Sequence, residues 1–360
     1  MYVKKICLKN YRNIQKLDLN LTNGVNIFYG QNAQGKTNLL ESIYMCATGR
    51  SHRTHKDKEL IKFESDEAHI RLEVCKQNIQ DKIDIHLKKE SKKGIAINNI
   101  PINKIGELFG YLNVVIFSPE DLNLIKQGPQ ERRKFIDMEL CQINNIYYYN
   151  LSQYHKVLKQ RNILLKKIDK DKSLKDTLFV WDKQLVQYGT KIIQTRSDFI
   201  QKLNTISTCI HKNITNNKEQ LEIKYKPSVL EEEFNDKLLK NIDKDILYKT
   251  TSYGPHKDDI LFFINGINAR DFGSQGQQRT VSLSTKLAEI QLIEEEKLSQ
   301  PVLLLDDVLS ELDKDRQKFL IQNIKNLQVI ITCTGVEDVL KNLHKDCTIF
   351  CVNNGNIVKE

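Results

Sequence analysis

Residues 30–37 read Gly-Gln-Asn-Ala-Gln-Gly-Lys-Thr. They follow an apolar run of strand character, Val25–Tyr29, and precede Leu39, Leu40, Ile43, Cys46 and Ala47 at helical spacing. Strand, glycine-bounded loop and helix in that order fit G-x-x-x-x-G-K-[ST], which confines the chain to α/β folds with a phosphate-binding loop. The glycines let the backbone curl until successive N–H groups face inward and cradle phosphate oxygens. The helix adds the positive end of its dipole. In this pattern Lys36 reaches the β- and γ-phosphates, and the Thr37 hydroxyl ligates a Mg²⁺ that otherwise keeps water and phosphate. Gly30, Gln31, Asn32, Ala33, Gln34, Gly35, Lys36 and Thr37 are therefore the candidate ATP-binding residues. A bare glycine-rich turn does not account for the strand before and the helix after.

A second constraint lies far along the chain. Pro301-Val302-Leu303-Leu304-Leu305-Asp306-Asp307 is an apolar run ending in two carboxylates. A strand buried on both faces reads this way, and ligands of open α/β sheets sit at strand carboxyl ends. Asp306 is the candidate to hold Mg²⁺ through water, and Asp307 to polarise the attacking water. An aspartate that merely caps the next helix is the alternative, but it leaves the pair unexplained. Thr37 and Asp306 stand 269 residues apart (306 − 37), a separation that points to an ATPase head interrupted by an insertion.

The periodicity supports such an interruption. Residues 1–29 and 68–100 alternate like strands, with a hairpin turn expected at Asn98-Asn99. From Pro129 to about Ile214 the period becomes helical. Two stripes, Tyr147 to Ile168 and Leu178 to Ile210, are separated by the polar stretch Asp169–Asp176. They predict an antiparallel helical hairpin, either an ordinary helical subdomain or a short coiled coil. Strand-like segments return after Leu221, and a helix is expected over Gly276–Lys297. The expected organisation is an α/β head over 1–128 and 215–360 with a helical second lobe over 129–214.

Composition narrows the class further. With 40% apolar residues the 360-residue chain can bury a core, and a net charge of +9 favours an acidic partner. Abundant lysine throughout gives the same balance without any such partner. The eight cysteines show no C-x-x-C pair, which argues against zinc and for reduced thiols. No apolar run approaches the roughly 20 residues of a membrane span. A cytoplasmic location, with no membrane partner, is the expectation.

Two flanking segments sharpen the reading. Ser274-Gln275-Gly276-Gln277-Gln278-Arg279 opens the helix before the acidic strand and resembles the ABC signature. Ser310-Glu311-Leu312-Asp313 after it resembles the D-loop. In that class the signature of one subunit touches the γ-phosphate held by the other. Ser274, Gly276 and Gln277 are then candidates to act in trans through hydroxyl, backbone and dipole. A plain helix cap is the alternative for Ser274.

Further runs occur in the order seen in the RecF family: Leu8–Asn13, Gly30–Asn38, Gly49–Arg53, Phe117–Leu122, Arg132–Asp137, Gly254–Asp259 and Leu303–Asp313. Over about residues 2–335 the chain resembles that family, which has ABC/SMC-type P-loop heads with an inserted helical lobe. The resemblance implies an ATP-dependent head-to-tail homodimer that clamps double-stranded DNA near single-strand gaps. It further implies action with RecO and RecR to help load RecA, and ATP hydrolysis that releases the clamp. Arg12 resembles an arginine that reaches nucleotide in SMC-type heads, or is a surface strand residue. Arg50, Arg53, Lys56 and Lys58 form one candidate DNA-contacting cluster and Arg132, Arg133 and Lys134 another; either is equally a solvated face.

The chain also departs from its class. Asp307 stands where ABC proteins usually carry Glu, so slow turnover is expected. Thr332, Cys333 and Thr334 occupy the region of the switch histidine, and Gln127 does not align securely with the Q-loop. Long-coiled-coil relatives such as RecN or the zinc-hook repair ATPase fit less well, because the insertion is short and lacks a C-x-x-C hook. A transporter subunit should lack the Gly254–Asp259 run. A nucleotide-gated DNA scaffold without significant turnover is the non-enzymatic alternative.

Overall fold

A computed structural model describes all residues except 78, 169–170, 325, 337–339 and 341–346. The chain divides into two units, Met1–Asp121 with Lys286–Glu360, and Leu122–Thr285. The second unit therefore begins near the expected boundary but runs well past residue 214, where the change of periodicity had placed its end. It takes in a small sheet as well as the helices.

In the first unit β1 (Tyr2–Tyr11) and β2 (Ile14–Asn20) form a hairpin, and β3 (Val25–Tyr29) leads to α1 (Lys36–Thr48). Next come β4 (Glu67–Lys76), β5 (Ile79–Lys88), β6 (Gly94–Ile97), β7 (Ile100–Ile102) and β8 (Val114–Phe117). The order β2-β1-β4-β5-β6-β7 makes an antiparallel sheet. Its β6–β7 turn places Asn98 and Asn99 both at positive φ, 52° and 66°, as a two-residue hairpin with right-handed twist requires.

The second unit opens with α2 (Asn123–Lys126), α3 (Pro129–Ile143), α4 (Asn145–Ile168) and α5 (Leu178–Ile214). The helical region thus holds three substantial helices rather than two, because Asn144 breaks the run with an extended backbone, φ −141° and ψ 100°. α4 and α5 form the expected hairpin. β9 (Leu221–Lys226), α6 (Phe234–Lys240), α7 (Ile242–Tyr248), β10 (Asp259–Ile264), β11 (Ile267–Asn268) and α8 (Ala269–Phe272) follow, and β11-β10-β9 is a three-stranded antiparallel sheet. α9 (Gln275–Lys297) starts in the second unit and ends in the first.

The interior of the second unit is ionic as well as apolar. Arg161 of α4, fully buried, donates to Asp182 at 2.5 Å, to Asp245 at 2.6 Å and to the Thr251 hydroxyl at 2.9 Å. Arg196 of α5 donates to Asp137 at 2.7 Å, to Asp258 at 3.0 Å and to the Pro255 carbonyl at 2.7 Å. Breaking such a buried pair from one side costs about 3–5 kcal/mol, since the other charge is left in low dielectric. These contacts tie the helices to the Gly254–Asp259 run. Glycine is required at 254, where φ is 130° and a Cβ would meet the Tyr154 hydroxyl at 2.3 Å.

The first unit closes with β12 (Val302–Asp306), α10 (Lys314–Asn323), β13 (Val329–Cys333), β14 (Cys347–Asn353) and β15 (Asn356–Lys359). The order β15-β14-β3-β13-β12-β8 is parallel except for β15. α1 touches β4 and β5 of one sheet and β8, β12 and β13 of the other, which explains why nearly all of it is buried. No helix among the described residues is long and apolar enough to cross a membrane.

Candidate nucleotide site

The site follows from strand order. β3, β13 and β12 are parallel neighbours, with Tyr29 opposite Cys333 and Asp306 opposite Thr332. The end of β3, where the loop begins, and the acidic end of β12 thus share one sheet edge, about 10 Å apart at ordinary strand spacing. The loop spans that gap. Thr37 at the head of α1 donates its hydroxyl to Asp306 Oδ1 at 2.8 Å, and Thr332 on the intervening strand donates to the same oxygen at 2.8 Å.

The loop is braced from behind. A Cβ at Gly30 would meet the Val352 carbonyl of β14 at 2.3 Å, so only glycine passes there. Gly35 has φ 109°, and a Cβ would meet the Asn13 amide at 2.6 Å. Asn13 Nδ2 donates to the Gln34 carbonyl at 3.0 Å, Asn13 Oδ1 accepts from Asn38 at 2.9 Å, and Gly355 N–H donates to the Gln34 carbonyl at 2.9 Å. Ala33 adopts φ 64°, a strained angle for a side-chain-bearing residue. Lys36 Nζ lies at the mouth, donating to the carbonyls of Gly30 at 2.6 Å and Gln31 at 2.9 Å. The first turn of α1 carries no acid of its own that would oppose an anion at the helix N-terminus.

The donor set suits magnesium. A threonine hydroxyl and an aspartate carboxylate are hard oxygen ligands on rigid elements, and they leave positions for water and phosphate. Beyond them Asp307 is half-buried in the left-handed region, φ 54°, its N–H donating to Thr332 Oγ1 at 3.1 Å. Burial raises its pKa and the Asp306 charge adds to that, while Lys36 opposes it. Among the described residues no histidine stands at the end of β13, where Thr332 is buried against the Asp306 carboxylate.

Arg12 precedes Asn13, which braces the loop, and is itself anchored on α1. Its Nε and Nη2 grip both oxygens of buried Glu41 of α1, at 2.9 and 2.7 Å, and its Nη1 donates to the Glu59 carbonyl at 2.9 Å. Burial alone would raise the Glu41 pKa, but hydrogen bonds from Arg12 and Ser51 bring it below the ordinary value. The arginine therefore orients α1. In the second unit Ser274 and Gln277 form a reciprocal cap at the head of α9: Ser274 N–H donates to Gln277 Oε1 at 2.9 Å, and Gln277 N–H to Ser274 Oγ at 3.2 Å. Gln277 also donates to Glu219 at 2.9 Å. Ser274 is exposed beside Gly276. Gln127 is exposed in the second unit, its carbonyl bound by Arg132.

The expected basic clusters look different in three dimensions. Arg132 is a correction. It is buried, with Asp259 taking Nε at 2.6 Å and Nη2 at 3.1 Å and the Gln127 carbonyl taking Nη1 at 2.6 Å, so its charge is spent inside the fold rather than on a surface. Arg133 spends Nη1 on the Asp258 carbonyl at 2.6 Å and is half-buried, and Lys134 pairs with Glu131 at 3.4 Å. In the first cluster Arg53 lies 3.7 Å from Glu41, Lys56 3.3 Å from Glu59 and Lys58 3.8 Å from Glu90. Arg50 is exposed. Sequence reasoning missed Asn13, Glu41 and the Val352–Gly355 brace as parts of the site. Asn13 sits in a run already singled out by its resemblance, whereas the brace has no local signal.

A phosphate loop beside an acid-tipped parallel strand, a capped signature helix and a helical insertion define an ATPase head of the ABC/SMC type. Residues 2–358 match the family described as RecF/RecN/SMC N terminal domain. The chain is 51% identical to the DNA replication and repair protein RecF of Lachnoclostridium phytofermentans and 52% identical to that of Lachnospira eligens, in both cases over 100% of each chain. It belongs to the RecF family of DNA replication and repair proteins. Among solved structures, the recombination mediator RecF with ATP in the RecFOR pathway superimposes with a TM-score of 0.94 at 38% identity, covering 100% of this chain and 97% of that one. The corresponding RecF–ATPrS structure gives 0.92 at 38% identity, with 99% and 98% covered. An Smc head from Pyrococcus furiosus bound to the C-terminal domain of ScpA gives 0.58 at 14% identity, covering 100% of this chain and 96% of that one, a likeness of fold alone.

Proposed function

We propose that the chain is an ATP-driven DNA clamp whose two copies close head to tail over two nucleotides. The Thr37–Asp306 hydrogen bond at 2.8 Å carries this reading, because it joins the phosphate loop to the acidic strand across 269 residues. The N–H groups of residues 31–37 bind the phosphates, and Lys36 compensates the β/γ charge. Thr37 and Asp306 hold Mg²⁺, which neutralises phosphate oxygens when bound. Asp307 orients the attacking water and takes its proton. Its side chain is one methylene shorter than the usual glutamate, which slows turnover.

Ser274, Gly276 and Gln277 of a second copy complete each site by donating to the γ-phosphate. Hydrolysis removes that anchor and opens the dimer. Double-stranded DNA near single-strand gaps is the cargo, with RecO and RecR as partners in loading RecA and the cytoplasm as the place of action. The supporting facts are the family, the relatives solved with ATP in the RecFOR pathway, and the geometry of the loop. Sizing the protein with ATP, ADP or no nucleotide, each with and without gapped duplex, tests the clamp. ATP alone should give a dimer that DNA stabilises, and Lys36→Ala should abolish both ATP affinity and dimerisation. A folded Lys36→Ala protein that binds ATP normally removes the loop from the reading.

A further inference from the structure

We infer that the solvent face of α4 is a duplex-DNA backbone contact, an inference that rests on the DNA-clamp reading above. α4 spans 24 residues without an aspartate or glutamate. Its exposed charged positions are His155, Lys156, Lys159, Lys166 and Lys167. Its other charged residue, Arg161, is turned inward to Asp182 and Asp245. Positions 155, 159, 162 and 166 lie i, i+4, i+7 and i+11 apart and so share one face. Positions 156, 160, 163 and 167 form the adjacent row. The ridge runs for about 16 Å at 1.5 Å per residue, which spans several phosphates of a duplex.

Two contrasts favour DNA over an ordinary solvated helix. First, a surface helix normally mixes signs, because like charges one turn apart destabilise it by a few tenths of a kcal/mol per pair. Here no described residue forms an ion pair with Lys156, Lys159, Lys166 or Lys167, whereas Arg53, Lys56 and Lys58 of the expected cluster each have an acidic neighbour. Second, the ridge continues at its N-terminal end. Tyr154 hydrogen-bonds His256 at 2.7 Å, which places His155 beside the Gly254–Asp259 run. In that run Pro255, Asp258 and Asp259 are engaged by Arg196 and Arg132, and Lys257 is exposed. Arg133 donates to the Asp258 carbonyl at 2.6 Å, so it too stands beside this run. A row of lysines with no ion pair to a described residue and no acid on its helix is complementary to a phosphate backbone and reads no base edges.

The test is the triple substitution Lys159→Gln, Lys166→Gln and Lys167→Gln in the full chain, measured by anisotropy on labelled duplexes of two unrelated sequences with ATP. Affinity should fall on both sequences alike, by tenfold or more at about 100 mM salt. The slope of log K against log salt should shrink by roughly two to three, about 0.9 per lost phosphate contact. ATP binding without DNA should not change. Unchanged affinity and slope overturn the assignment while the clamp reading stands, and so does a loss confined to one sequence. Loss of an acidic protein partner with duplex binding intact overturns it as well. A wild-type protein that binds no duplex overturns both readings.

Discussion

His256 shows how much of this chain's chemistry is decided by single side chains. Its Nε2 lies 3.0 Å from the Thr251 carbonyl, which can only accept, so Nε2 carries the proton and Nδ1 accepts from the Tyr154 hydroxyl. Burial holds its pKa at about 4; the Thr251 carbonyl pulls upward, and Lys257, His155 and Arg133 push further down. The folded value lies below the ordinary 6.5, so as pH falls the unfolded chain takes up the proton first. Stability is therefore full above about 6.5 and is lost from there down toward 4. Between pH 7 and 5 this histidine should cost on the order of 1–2 kcal/mol. Denaturant midpoints at the two pH values check it. His256→Gln should lower stability at pH 7 yet flatten the acid slope, and an unchanged slope would remove the histidine from the effect.

Among the helices, α5 makes the sharpest prediction. Gly189 sits mid-helix, where alanine would ordinarily gain about 1 kcal/mol. Here a Cβ would meet Phe234 at 2.4 Å and Tyr154 at 3.1 Å. Gly189→Ala should therefore destabilise by about 1–3 kcal/mol through overpacking; a higher denaturation midpoint would mean that Phe234 simply swings away. The same scale shows what sequence can reveal. α1, α9, β12 and the Asn98-Asn99 turn were legible because each has a local period or a local backbone demand. The short strand β8, four buried residues with no alternation, and the pairing of β14 with β3 were not read, because both depend on partners far along the chain. Arg132 failed for the same reason: its charge is visible in sequence, but Asp259, which buries it, stands 127 positions away.

For the whole molecule the proposed shared site makes opposite demands on two residues. In the proposed mechanism Asp307→Asn keeps Thr37 and Asp306 for the metal but offers an amide where a base is needed. ATP should bind, hydrolysis should fall by at least 10²-fold, and nucleotide-dependent dimers should accumulate and leave DNA slowly. Ser274→Arg puts bulk and charge at the head of α9, where the proposed dimer docks a second copy's γ-phosphate. Each monomer should bind ATP and stay a monomer. Sedimentation of both variants with ATP checks the pair, and a monomeric Asp307→Asn protein would show that the two copies do not share a site.

The position of β3 imposes an order on the making of this machine. Its neighbours on either side, β13 and β14, begin at Val329 and Cys347, about 300 residues beyond Tyr29, and the Gly30 turn rests on Val352. A ribosome therefore delivers the phosphate loop about 300 residues ahead of its walls. Until those strands emerge the loop has no cradle to belong to, and the chain cannot capture nucleotide.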